Sequence, residues 1–225
     1  MAQNWINNTG GGAALLRQPI LFLPGWAFSG EVLDLAERRY PWIRPASPLD
    51  PATALSEILS FLAEHRLDSL HLVGWSLGAF LACDCACAFP QKVASLTLLG
   101  MRASWPSAEI GAIRQGLAAD SQAFLRDFYR KSLLGYKKES RRFVAEQQEG
   151  LLESLDMQAL GRGLDYLAQW RLPTQALQCP VSCWHGRRDI IAPVAEQAVI
   201  PGARLSIIDH GGHALFLDRE FAPGE

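Results

Sequence analysis

The chain has 225 residues, of which 49% are hydrophobic and 20% charged, with a formal net charge of −2. Those figures suit one soluble globular domain with a sizeable core. They exclude a global basic field of the kind that gathers nucleic acid, and no apolar run approaches the roughly 18 residues that a membrane span needs.

In chain order, Met1–Gly12 is polar and glycine-rich, without the basic then apolar pattern of a secretory leader. Ile20–Leu23 is an apolar run ending at Pro24-Gly25, which reads as a buried strand and its loop. Pro51–Arg66 has helical periodicity, with Leu55, Ile58, Leu59 and Leu62 on one stripe. Leu70–Val73 is a second strand, followed by Gly74-Trp75-Ser76-Leu77-Gly78 and a helical stretch, Leu77–Ala88, that ends before Pro90. Val93–Gly100, Pro180–His185 and Arg204–Asp209 are further strands. Strands alternating with helices predict an α/β fold: a mostly parallel sheet with helices on both faces.

Residues 101–174 break that rhythm. They hold helical patches at Ser121–Leu134, Glu139–Leu155 and Met157–Trp170 and no convincing strand. The expected organisation is therefore a core of residues 1–100 and 175–225 with a helical cap, 101–174, inserted between two core strands. After Phe216 a fuller final helix is expected than the residues up to Glu225 provide. The five cysteines cannot all pair with one another, and no C-x-x-C spacing appears. They read as reduced thiols serving as small core residues, which points to the cytoplasm and to no metal site.

The chemistry is concentrated at Gly74–Gly78. A G-x-S-x-G sequence between a strand and a helix forces its serine into a strained backbone conformation that lifts the hydroxyl off the sheet. A serine hydroxyl is a poor nucleophile near neutral pH and needs a base, which in turn needs an orienting acid. Asp189 follows the strand ending at His185, and His213 follows Gly211-Gly212 after the next strand, so the order Ser76, Asp189, His213 is the one this arrangement requires. The Gly-Gly loop favours His213 over His210. Asp209 reads as a strand-end residue, Asp84 as a structural group on the serine's helix, and His65, His71 and His185 as structural. An oxyanion hole needs two backbone donors: the Leu77 N–H after the serine and, by position after the first core strand, the Trp26 N–H.

Pro24-Gly25-Trp26, Gly74–Gly78, His185-Gly-x-x-Asp189 and Gly211-Gly212-His213 together resemble the α/β-hydrolase superfamily over about Ile20–Phe216. Gly-Trp after the first strand and Gly-Trp-Ser-Leu-Gly at the serine turn look, more narrowly, like the BioH-type esterases of biotin synthesis. That resemblance implies hydrolysis of pimeloyl-acyl carrier protein methyl ester by Ser76, Asp189 and His213, with no cofactor. Those family members usually carry His where Pro24 stands and are somewhat longer. A short-chain esterase, a thioesterase or a lyase of menaquinone synthesis would use the same triad, and a hydrolase-fold ligand receptor would bind without turnover. The segment from Arg126 to Arg142 adds seven basic residues, Arg126, Arg130, Lys131, Lys137, Lys138, Arg141 and Arg142, opposed within it only by Asp127 and Glu139. Such a patch would steer an acidic carrier protein, and it equally fits a solvated helix face.

Overall fold

A computed structural model describes residues 5–7, 19–36, 42–173 and 177–223. The strands are β1 (Trp5–Asn7), β2 (Ile20–Leu23), β3 (Trp42–Pro45), β4 (Leu70–Trp75), β5 (Val93–Leu99), β6 (Val181–Gly186) and β7 (Arg204–Ile208). They form one sheet in the order β1-β3-β2-β4-β5-β6-β7, parallel except for the β1–β3 edge pair. Each parallel step needs a crossover, and the apolar helices supply most of them. α1 (Ala54–Glu64) leads into β4, and α2 (Leu77–Ala88) leads from β4 towards β5. α2 is buried almost all round because it packs on β2, β4 and β5, which explains its run of Ala, Leu and Cys. From β6 to β7 the chain has only a short 3-10 turn, Val194–Glu196, and Leu205 and Ile207 on β7 are exposed.

Among the described residues, five helices lie between β5 and β6: α3 (Ser107–Ala119), α4 (Ser121–Ser132), α5 (Lys137–Glu146), α6 (Gln148–Ser154) and α7 (Met157–Gln169). The single patch expected over Glu139–Leu155 is two helices. Phe143 is buried from α5 and Gln148 from α6. Five positions apart lie about 140° round a helix, so one straight helix could not turn both inward. Residues 174–176, where the cap was expected to end, lie outside the described residues, as do most of Met1–Gly12.

Two strands were not anticipated. β3 contains Arg44 and ends at Pro45, a composition that argues against a buried strand. All four of its residues are nevertheless buried, and the guanidinium is held by Asp34 through bonds of 2.6 and 2.7 Å. β1 is three residues in a polar stretch. α1 starts at Ala54 rather than Pro51 because Asp50–Thr53 forms a turn, with the Asp50 carboxylate accepting from the Ala52 N–H at 3.1 Å. Among the described residues no helix is long and apolar enough to cross a membrane. All five cysteines are free, and burial pushes the Cys85 thiol up to about 12 and that of Cys183 to about 11.

Candidate active site

Sheet register brings the relevant loops to one edge. Trp75 at the end of β4 pairs with Leu99 of β5, Leu99 with Trp184 of β6, and Gly186 at the end of β6 with Ile208 of β7. Ser76, Gly100, Asp189 and His213 follow those strand ends, and Trp26 follows β2. Side chains at strand C-termini of a parallel sheet converge in this way, with the rigid scaffold beneath them.

Ser76 has φ 53° and ψ −119°, a conformation an L-residue adopts only when its surroundings enforce it. Its N–H donates to Leu99 O at 2.9 Å, and its carbonyl accepts from the Ala79 N–H at 2.9 Å, at the start of α2. The turn closes so tightly that a Cβ at Gly78 would lie 2.0 Å from Leu23 O and one at Gly74 would lie 2.4 Å from Gly78 O. Both glycines of G-x-S-x-G are thus there because backbone of neighbouring elements fills the space a side chain would need.

His213 and Asp189 form a buried pair, with side chains 1% and 0% exposed. His213 Nδ1 lies 2.7 Å from Asp189 Oδ2; a carboxylate can only accept, so Nδ1 carries the proton of this bond. The other carboxylate oxygen, Oδ1, accepts from the Ile191 and Ala192 N–H groups, both at 2.8 Å. Burial alone would raise the Asp189 carboxyl. The facing imidazole and the two N–H groups outweigh it and hold the group below the usual carboxylate range. Gly100, with φ +58°, passes directly beside the pair: a Cβ there would lie 3.1 Å from His213 Nδ1. The His213 backbone is tied to the serine turn through Trp75, whose Nε1–H donates to His213 O at 2.9 Å. His213 Nε2 is buried and has no hydrogen-bond partner, so the Ser76 hydroxyl is not bonded to it. Such contacts often tighten only when substrate is bound.

The other candidates are engaged elsewhere. His210 is at the surface, 3.2 Å from buried Asp218, and Asp209 pairs with Arg187 at 2.7 Å. Asp84 accepts from the Tyr166 hydroxyl at 2.6 Å and Trp170 Nε1 at 2.9 Å, joining α2 to α7. His71 meets Ser95 Oγ at 2.7 Å, and His65 stacks on Phe61. His185 is 1% exposed; burial is the largest influence on it and holds its imidazole below the ordinary value, against the pull of Asp189.

Above the sheet edge, Trp26 is covered by the helices. Its indole N–H donates to Leu160 O of α7 at 3.0 Å, its ring meets Phe128 of α4 edge-on at 5.1 Å, and a Cβ at Gly163 would lie 2.8 Å from it. Among the described residues no backbone carbonyl takes the N–H of Trp26 or Leu77. Clefts flank this contact on both sides. One, about 560 Å³, lies between Trp26, the 46–50 loop and α7; the other, about 340 Å³, is walled by Trp105, Ile113, Phe124, Phe128 and Ile191. The basic residues of α4 and α5 are partly neutralised, two of them by carboxylates that lie beyond the segment 126–142. Arg126 pairs with Glu149 and Arg142 with Glu146, while Arg130 and Lys131 share Asp127. Lys137 and Arg141 are exposed one turn apart on α5.

Residues 20–223 match the alpha/beta hydrolase family, and the chain belongs to it. It is 33% identical over 234 residues, covering 89% of this chain and 93% of the relative, to a pimeloyl-[acyl-carrier protein] methyl ester esterase of Aromatoleum aromaticum. A protein of the same description from Chromobacterium violaceum is 28% identical, covering 89% of each chain. Among solved structures, an esterase from Exiguobacterium antarcticum superposes with TM-score 0.74 at 18% identity, covering 96% of this chain and 89% of the other. A hydrolase from Oleispira antarctica gives 0.76 at 12% identity, with the same coverage. At those identities the structural likeness speaks to fold.

Proposed function

We propose that this alpha/beta hydrolase is a serine carboxylesterase, acting in the cytoplasm on the methyl ester of pimeloyl-acyl carrier protein in biotin synthesis. The observation that carries the reading is the buried Asp189–His213 pair, with Nε2 left without a partner, together with a serine held at φ 53° at the end of β4. The substrate rests on the names of the relatives; the reaction class rests on this geometry as well.

In this scheme Ser76 Oγ attacks the ester carbonyl while His213 Nε2 takes its proton. The N–H groups of Trp26 and Leu77 hold the oxyanion as the carbonyl π electrons move onto oxygen. The C–O bond to the alcohol then breaks, and His213 delivers its proton to the departing methanol. Water, deprotonated by the same imidazole, attacks the acyl-serine; collapse releases the acid and returns the proton to Ser76. Asp189 fixes the imidazole tautomer and stabilises its cation. The chain's own groups handle every proton and charge, so the scheme calls for no metal or organic cofactor.

The helices of residues 101–174 would act as a cap over this centre. The exposed cations of α4 and α5, among Arg126, Arg130, Lys131, Lys137, Lys138, Arg141 and Arg142, would meet an acidic carrier protein there. Arg126, Arg130, Lys131 and Arg142 would have to exchange their internal carboxylates for the partner's. The test is methanol release from pimeloyl-acyl carrier protein methyl ester, with p-nitrophenyl acetate alongside. Fast, Ser76-dependent cleavage of the carrier-bound ester is expected. Cleavage of the small ester alone would keep the esterase and discard the biotin substrate.

A further inference from the structure

Gly25, Trp26, Ala27 and Phe28 form a turn closed by the Phe28 N–H donating to Gly25 O at 3.1 Å. Ala27, its third residue, has φ 62°. That position and that φ favour glycine, because a Cβ crowds the backbone there. A turn that keeps alanine in the left-handed region needs an outside restraint.

The restraint comes from α4. The Tyr129 hydroxyl donates to Ala27 O at 2.9 Å, across 102 residues of chain. Tyr129 is fully buried, with its ring 4.9 Å from Phe28 and 5.1 Å from Phe143. Ring packing there asks for a phenyl group and nothing more; the hydroxyl adds one thing, the bond to Ala27. Burial also raises the phenol well above its ordinary value, so it remains a donor at any working pH. We propose that Tyr129 is a positioning residue for the oxyanion hole: its hydroxyl pins the Ala27 carbonyl and so keeps the preceding Trp26 N–H aimed at the reacting carbonyl. The inference rests on the reading of Trp26 N–H as an oxyanion donor. It makes closure of the helical layer a condition for transition-state stabilisation, since the pin sits on α4 and the loop on the core.

Tyr129→Phe keeps the ring and removes the bond. The informative probe is an alkyl trifluoromethyl ketone: Ser76 Oγ adds to its carbonyl carbon, the serine proton passes to His213, and the former carbonyl oxygen becomes an oxyanion in the hole. With p-nitrophenyl acetate, kcat should fall about tenfold and KM stay within about twofold, while affinity for the ketone weakens about tenfold. Adding Ala27→Gly to Tyr129→Phe should recover most of the loss, because glycine holds the left-handed turn without help. A purely structural hydroxyl would lower the melting temperature and leave kcat and ketone affinity at wild-type values; that result overturns the proposal. Ser76→Ala is run in parallel. If it retains turnover, the reading of the site fails and this inference with it. If turnover depends on Ser76 and Tyr129→Phe is indifferent, this inference alone fails.

Discussion

Beneath Ser76 the site is held by backbone, and above it by side chains. On the strand side the serine turn is bounded by Leu23 O, Leu99 O and Gly78 O, all main-chain atoms of neighbouring elements. On the helical side the attachments are Trp26 to Leu160 O, Tyr129 to Ala27 O, Tyr166 and Trp170 to Asp84, and Arg162 to Asp50. Backbone packed to van der Waals contact has one solution. A set of single hydrogen bonds can be broken one at a time at modest cost. The lower half is therefore held by contacts that leave no room to give, and the upper half by contacts that can be removed singly.

The sharpest way to break that contrast is at the chemistry itself. Ser76→Ala should lower kcat at least about 10⁴-fold and Asp189→Asn by about as much, with the fold intact, as read by turnover and circular dichroism. An Asp189→Asn enzyme near wild-type rate would show that the buried pair does not serve Ser76. Next comes the backbone frame. A methyl at Gly78 meets the Leu23 carbonyl, so Gly78→Ala should destabilise by about 4 kcal/mol or fail to fold, in urea melts. A side-chain attachment should cost less. Asp84→Ala strips the acceptor from Tyr166 and Trp170 and should cost about 2 kcal/mol, with hydrogen exchange rising in α7 and not in β4.

The pH dependence is smaller still, and its sign follows from the buried groups. His185 is held neutral below its ordinary value in the fold, so between about pH 6.5 and the lower folded value the unfolded chain binds the proton first. Stability from this group is complete above about pH 6.5 and falls as the pH drops, by at most about 1.4 kcal/mol per unit. Asp189, also depressed, contributes fully above about pH 4 and loses that contribution only as the pH falls through its folded value. Urea melts at pH 7.5 and 5.5 on wild type and His185→Asn should show the steeper slope in wild type. The smallest effect is expected on α5: Lys137→Glu with Arg141→Glu should raise KM for a carrier-bound ester several-fold at low salt and leave p-nitrophenyl acetate unchanged.

The same division governs what could be read before the fold was known. Gly74, Gly78 and the Gly-Gly before His213 are legible because tight backbone demands glycine, a residue with few other reasons to occupy those places. The order of Ser76, Asp189 and His213 follows from strand succession. The bounds of α2 and β2 match because both elements are buried on nearly every side and their apolar runs are continuous. Tyr129 and Leu160 are invisible by contrast: each acts through one hydrogen bond to a partner more than 100 positions away, and no local spacing encodes that. Asp84 was legible as a structural group on the serine's helix, but its two partners, Tyr166 and Trp170, were not. β3 hides behind Arg44, whose partner Asp34 is itself recognisable only in the fold. The basic stretch of 126–142 looked more positive along the chain than it is in space, since Glu146 and Glu149 fold back onto it.

Fluorophosphonate labelling with peptide mapping tests the central claim most directly. A buried imidazole oriented by Asp189 should make Ser76 the one serine that reacts, with the rate cut by about 10³ or more in Asp189→Asn. A single adduct on Ser76 with that dependence is the predicted result. An adduct on another residue, or unlabelled protein that still turns over esters, would contradict it.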